Sequence, residues 1–168
     1  MSENFNNLRA DNEDQLDENF DLKSILWFTL GCEEYAIKVD HVQTVLNEMS
    51  LTPVPNTPRF VLGVINLRGV IIPIVDLKEM FQMPRDEANG EMMAVVLEVE
   101  NMRVGIAVDK VKEVLDIDFS QLQPPPPSLS GLGAEYVKGI HRMGTKILIV
   151  IELGKVINIA KEMISKYS

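Results

Sequence analysis

A single cysteine, Cys32, in 168 residues leaves no partner for a disulfide within the chain and no thiol pair for a zinc knuckle or redox centre. A reducing, cytoplasmic home is the simplest expectation. Histidine is almost as scarce. His41 and His141 are the only two, and neither stands in a His-Glu-x-x-His arrangement. Gly-x-Ser-x-Gly elbows and phosphate-cradling glycine loops are missing too, and Gly131-Leu132-Gly133 lacks a third glycine and a preceding strand, so it reads as a loop. No apolar run approaches the ~20 residues of a membrane span. The N-terminus has neither the basic start nor the apolar stretch of a secretory signal. Lysine and arginine number 16 against 25 acidic residues and form no cluster. That excludes a phosphate-neutralising nucleic-acid surface and direct docking on an anionic membrane.

The net charge of −9 is unevenly spread. Residues 1–21 hold seven acidic side chains against Arg9, a balance of −6, which leaves −3 for the rest. This Asn-rich opening has too little apolar mass to fold and reads as a solvated tail.

The rest of the chain repeats itself. Tyr35-Ala36-Ile37-Lys38-Val39-Asp40-His41-Val42-Gln43-Thr44-Val45-Leu46 returns 69 positions later, from Val104 to Leu115. Gly63-Val64-Ile65 through Asp76-Leu77 returns 76 positions later, from Gly139 to Leu153. The extra residues fall around Pro124 to Pro127, where a loop absorbs an insertion cheaply. The chain is therefore two copies of one unit, and function is to be sought where the copies differ.

Each copy is a series of short β-branched and aliphatic runs separated by turns. Strands are expected at 24–30, 35–39, 42–47, 63–66 and 70–77, and again at 93–99, 102–108, 111–117, 136–141 and 146–153. Val39, Val42, Val45 and Leu46 also fit a helical spacing, but their β-branched content and the repeated strand context favour strand. A helical turn is expected within 78–83, a polar connector at 84–90, a proline- and serine-rich crossing at 118–133 and an amphipathic helix at 157–167, with Ile157, Ala160, Met163 and Ile164 on its apolar face. Five strands per copy suggest two small barrels that share an apolar face, with a strand exchange between copies left open.

Asp76 and Glu152 occupy matching positions, as do Asp40 and Asp109, and capping of backbone donors accounts for them better than acid–base chemistry. Asp116 and Asp118 read as a solvated loop face. Met80, Met83, Met92 and Met93 gather near the join, where core packing is the first account and partner contact the second. The four prolines read as a stiff crossover, and Cys32 as an exposed turn residue. The sharpest asymmetry lies in the second hairpin of each copy, Asn66-Leu67-Arg68-Gly69 against His141-Arg142-Met143-Gly144. A turn of three or four residues needs its glycine but not Arg68, and an arginine beside a leucine is a pairing common at interfaces.

The stretch from Asn56 to Leu77, with Gly63-Val64-Ile65-Asn66-Leu67-Arg68-Gly69 at its centre, resembles the signature block of the CheW family of chemotaxis coupling proteins. So do Gly31-x-x-x-Tyr35-Ala36-Ile37, Val104-Gly105-Ile106-x-Val108-Asp109-x-Val111-x-x-Val114-Leu115 and Tyr136-Val137-x-Gly139. The resemblance implies an all-β fold of two five-stranded, SH3-like β-barrels on a shared hydrophobic core, closed by a C-terminal α-helix. Together with the composition of the opening, it divides the chain into a disordered acidic tail (1–22), which departs from the family pattern, and a CheW-like domain (23–168). Within that domain the first barrel repeat is expected at about 23–88, the second at 89–157 and the helix at 158–167.

The function it implies is that of a non-catalytic adaptor joining the cytoplasmic tips of methyl-accepting chemoreceptors to the regulatory domain of the histidine kinase CheA. No cofactor or metal is called for, and the protein would be cytoplasmic and recruited to membrane-associated receptor arrays. Receptor binding would fall to Val42, Gly63, Asn66, Leu67 and Arg68, in a groove between barrels. The resemblance transfers no kinase-contact residues. An adaptor for another chemosensory output is the near alternative. The start at Met1 and the lack of an ATP-binding or phosphoacceptor segment favour a stand-alone protein over a piece of a larger kinase.

Overall fold

The computed structural model describes residues 20–83, 91–127 and 134–167, the side chains of residues 159, 163, 164, 166 and 167 excepted. The tail before residue 20, the connector at 84–90, the Gly131-Leu132-Gly133 loop and the side chains of Met163 and Ile164 therefore lie outside the described residues.

Among the described residues ten strands form: β1 (Leu22–Leu30), β2 (Glu33–Lys38), β3 (Val42–Leu46), β4 (Val61–Leu67), β5 (Val70–Asp76), β6 (Met93–Val99), β7 (Met102–Val108), β8 (Lys110–Asp118), β9 (Val137–Met143) and β10 (Lys146–Ile151). A one-turn helix, α1 (Leu77–Met80), follows β5, and α2 (Leu153–Tyr167) follows β10. The ambiguous valines resolve as a 3-10 turn at Val39–His41 leading into β3. Helix α2 begins a turn earlier than its apolar periodicity suggests, directly after β10.

The two sheets do not follow the two copies. The first sheet has the order β8-β1-β2-β10-β9 and the second β3-β6-β7-β5-β4. Each thus combines two strands of one copy with three of the other. Replacing every strand by its repeat counterpart converts one order into the other. The exchange is held by parallel pairing of β2 with β10 and of β5 with β7, bonds that no hairpin could make.

Each sheet then curls until its ends meet at a single bridge. The chain leaving β3 bridges β4 at Thr52 and Val64, and the chain leaving β8 bridges β9 at Gln123 and Ile140. A glycine stands beside each closure. A Cβ on Gly63 would lie 2.5 Å from the Thr52 carbonyl oxygen, and one on Gly139 would lie 2.9 Å from Leu122 Cβ. Neither crossing chain could pass so close over a side chain, which is why the glycine recurs in both copies.

Alternation along the strands sorts apolar residues into three cores. Ile25, Ala36, Ile117, Leu148 and Val150 fill the first sheet, with Trp27 and Phe119 packed against them. Ile65, Ile72, Ile74, Ala94, Val96 and Ala107 fill the second. The opposite faces meet in a larger seam that takes Leu26, Phe28 and Leu30 from β1, Val95 and Leu97 from β6, and Val156, Ile157 and Ala160 from α2. Complete burial of one such side chain stabilises by about 1.5–3 kcal/mol. A row of rings from Phe28 through Tyr35 and Phe81 to Tyr136, with centroids 6.1, 6.0 and 5.5 Å apart, runs along the seam. Burial there pushes the Tyr35 hydroxyl far above its usual titration range, helped by its hydrogen bond to Glu33. The methionines are packing residues: Met80 is buried in the seam, Met83 and Met93 lie against it, and Met92 packs on the second sheet.

Of the four repeated carboxylates, Asp76 and Asp109 act on the backbone, while Glu152 pairs with Lys138 Nζ at 3.5 Å. Asp76 caps α1 by accepting the Lys78 N–H at 3.0 Å. Asp109 accepts the Gly31 N–H at 2.6 Å with one oxygen and meets Lys78 Nζ at 2.7 Å with the other. That ties the β1–β2 turn, the β7–β8 junction and α1 together across the seam. The expectation of a solvated loop face at Asp116 and Asp118 is corrected as to the loop, while Asp116 is exposed and Asp118 partly so. Both belong to β8, where Asp116 accepts from Ser24 Oγ and Asp118 from the Asp21 and Ser120 N–H groups. These bonds, the Asp21 one foremost, hold the Asp118 carboxyl below the usual carboxylate range.

Candidate functional site

The β4–β5 hairpin is tighter than its sequence suggests. Leu67 pairs with Val70, so only Arg68 and Gly69 form the loop rather than three or four residues. Their φ angles are 53° and 85°, both positive, as a type I′ turn requires. Glycine accepts that backbone freely, but an arginine does so at a cost of about 1 kcal/mol. Asn66 Oδ1 accepts the Gly69 N–H at 2.9 Å and helps hold the strained loop.

The β9–β10 hairpin pairs Met143 with Lys146, so its loop is Gly144-Thr145, with φ positive at Gly144 alone among the two. The structural counterpart of Arg68 is therefore Gly144, not Met143. The second copy places glycine where the first tolerates a left-handed arginine.

Arg68 makes no hydrogen bond or ion pair to the described residues. It stands with Leu67 and Val70 on one wall of a groove of about 390 Å³, and Gln43, Thr44 and Leu46 of β3 form the other, with Arg103 of β7 beside them. Leu67 is half-buried and rests on the interior of the second sheet.

The five residues expected to bind a receptor are thus spread over three settings. Leu67 and Arg68 line the groove, and exposed Asn66 shapes its turn. Val42 begins β3, next to the groove residue Gln43, and packs against the seam. Gly63 is buried under the Thr52 crossing and presents no surface. The groove that holds Leu67 and Arg68 lies within the second sheet, with β3 as the wall it shares with the seam. Gln43, Thr44 and Arg103 escaped the sequence reading. Comparing Arg103 with its repeat counterpart Glu34 would have singled it out.

A second hollow, about 440 Å³, has Cys32, Glu33, Pro126 and Ile147 on its walls. Exposed Ile147 matches exposed Ile71 across the repeat, so each sheet offers one bare isoleucine. Among the described residues no three His, Cys, Asp or Glu side chains gather as metal ligands, and no helix is long and apolar enough to cross a membrane.

The CheW-like domain model matches residues 24–161. The chain is 37% identical to the chemotaxis protein CheW of Klebsiella aerogenes, covering 81% of this chain and 82% of that one. It is 35% identical to the chemotaxis protein CheW of Treponema pallidum, covering 88% and 86%. The crystal structure of the scaffolding protein TtCheW from Thermoanaerobacter tengcongensis superposes with a TM-score of 0.68 at 36% identity, over 77% of this chain and 88% of that one. With two five-stranded sheets, a closing helix and this similarity over nearly all its folded length, the chain belongs to the CheW-like domain family.

Proposed function

We propose that this chain is a non-catalytic chemotaxis adaptor that couples chemoreceptor cytoplasmic tips to the regulatory domain of the kinase CheA, within membrane-associated arrays. Its relatives carry the names chemotaxis protein and scaffolding protein. The observation that carries the reading is Arg68, held in a strained left-handed turn beside Leu67 with no partner among the described residues. Strain at an exposed position does not help folding, so it points to a contact made outside the chain. An amphipathic receptor helix suits the groove, with its apolar side chains against Leu46, Leu67 and Val70 and its polar ones against Arg68. The bare Ile71 and Ile147 lie outside that groove and leave surface for a second partner. Signalling then needs only different packing free energies for two receptor states.

Arg68→Asn separates binding from folding. Asparagine suits the left-handed turn, so stability is expected to hold or to rise by up to about 1 kcal/mol. Coupling, read as receptor-dependent kinase activity in reconstituted arrays, should fall. Full coupling by a stably folded variant would remove Arg68 from the site.

A further inference from the structure

Two arginines line one groove in a chain whose net charge is −9. The repeat supplies the comparison that gives this meaning. Arg68 matches Gly144, Val70 matches Lys146, and Arg103 matches Glu34. In the first sheet the counterparts satisfy one another. Lys146 Nζ lies 3.8 Å from Glu34 Oε1 and 5.3 Å from the centre of the Trp27 ring, while Glu34 Oε2 accepts the Trp27 indole N–H at 2.7 Å. In the second sheet the same places hold two arginines and a valine, all three lining the groove. Arg103 has an ion pair with Glu98, at 3.9 Å and with both side chains more than a third exposed. Such a contact contributes little and is easily exchanged.

We infer that Arg103 is a second cationic anchor of the groove, and that the helix it accepts carries a carboxylate next to its apolar contacts. The inference rests on the receptor-coupling reading and adds to it the chemistry of the partner. A guanidinium presents its donors as a planar fork that fits a carboxylate, and two of them in one groove leave a local positive field. Leu46, Leu67 and Val70 supply the apolar contacts beside the two guanidiniums. A helix with a lysine at that place would meet like charge, and the pair therefore rejects basic partners as well as selecting acidic ones.

The test is calorimetric titration of the full chain with the purified cytoplasmic hairpin of a chemoreceptor from the same organism, at about 50 and about 300 mM salt. Arg103→Glu should weaken binding about tenfold or more at low salt with an unchanged melting temperature. Arg103→Gln, the milder variant should Arg103→Glu fold poorly, should weaken it less and flatten its salt dependence. Glu98→Gln should leave binding equal or tighter. Binding by folded Arg103→Glu or Arg103→Gln within about twofold of the parent at both salt concentrations overturns the inference. If Arg68→Asn loses binding in that case, the coupling reading survives alone; if Arg68→Asn also binds normally, both fail. The chain's own acidic residues 1–19 are the other candidate occupant. A truncation of residues 1–19 that binds about tenfold tighter with its salt dependence gone would assign the arginines to them and sink the inference.

Discussion

Gly63 and Arg68 sit five positions apart in one hairpin and answer to opposite rules. Gly63 has a φ of 152° and no room for a Cβ, because the obstacle is the Thr52 carbonyl, which accepts the Val64 N–H while the Thr52 N–H donates to the Val64 carbonyl. Gly63→Ala is therefore expected to cost roughly 2–4 kcal/mol, combining backbone strain with overpacking. Gly69→Ala faces open space at a φ of 85° and should cost only about 1 kcal/mol. Urea denaturation of the two variants side by side checks the contrast, and equal losses would refute the crossing as the reason for Gly63. A loss of coupling in a Gly63 variant would then report a disturbed barrel closure rather than a deleted contact. The sequence made both residues visible, since Gly63 recurs as Gly139 and Arg68 does not recur. It could not show the positive φ of Arg68, because the loop length depends on which residues pair across the strands.

At the scale of elements, the seam is joined by a polar clamp as well as by apolar packing. Lys78 on α1 is buried, and its charge meets Asp109 at the β7–β8 junction. Asp109→Asn would keep an oxygen for the Gly31 N–H but leave the ammonium without its counter-charge. The expected loss is about 2–4 kcal/mol, toward the lower side of what breaking a buried pair costs, because Asp109 is partly exposed. Adding Lys78→Met should restore part of it, since an apolar side chain needs no counter-charge there. Denaturation of the single and double variants measures the coupling, and simple additivity would contradict the clamp. The matching Asp40 and Asp109 of the repeat marked the capping position in advance. Lys78 gave no such sign, because its counterpart is Gly154 and the pair forms only once β5 and β7, some thirty residues apart in the chain, lie side by side with Asp76 against Ala107.

For the whole molecule, the exchange of strands has a consequence for cutting it. Neither copy owns a complete sheet, as β1 and β2 need β8, β9 and β10, and β6 and β7 need β3, β4 and β5. A fragment ending at residue 84 is expected to stay unfolded alone, and so is a fragment starting at residue 90. Mixed together they should form a 1:1 complex with native circular dichroism, since every strand pairing between sheets' halves is made without the connector. A first fragment that folds cooperatively without its complement would show that one copy closes a barrel unaided. The amino-acid order by itself determined the number and kind of elements, the two-fold repetition, the acidic opening and the hairpin where the copies diverge. Each of these follows from period-two alternation and turn residues acting over a few positions. Which strands share a sheet, where the groove opens and how Arg103 comes to stand beside Arg68 were decided only by tertiary structure. Parallel pairing between distant segments is a choice of lowest total free energy for the whole chain, and no local window of sequence encodes it.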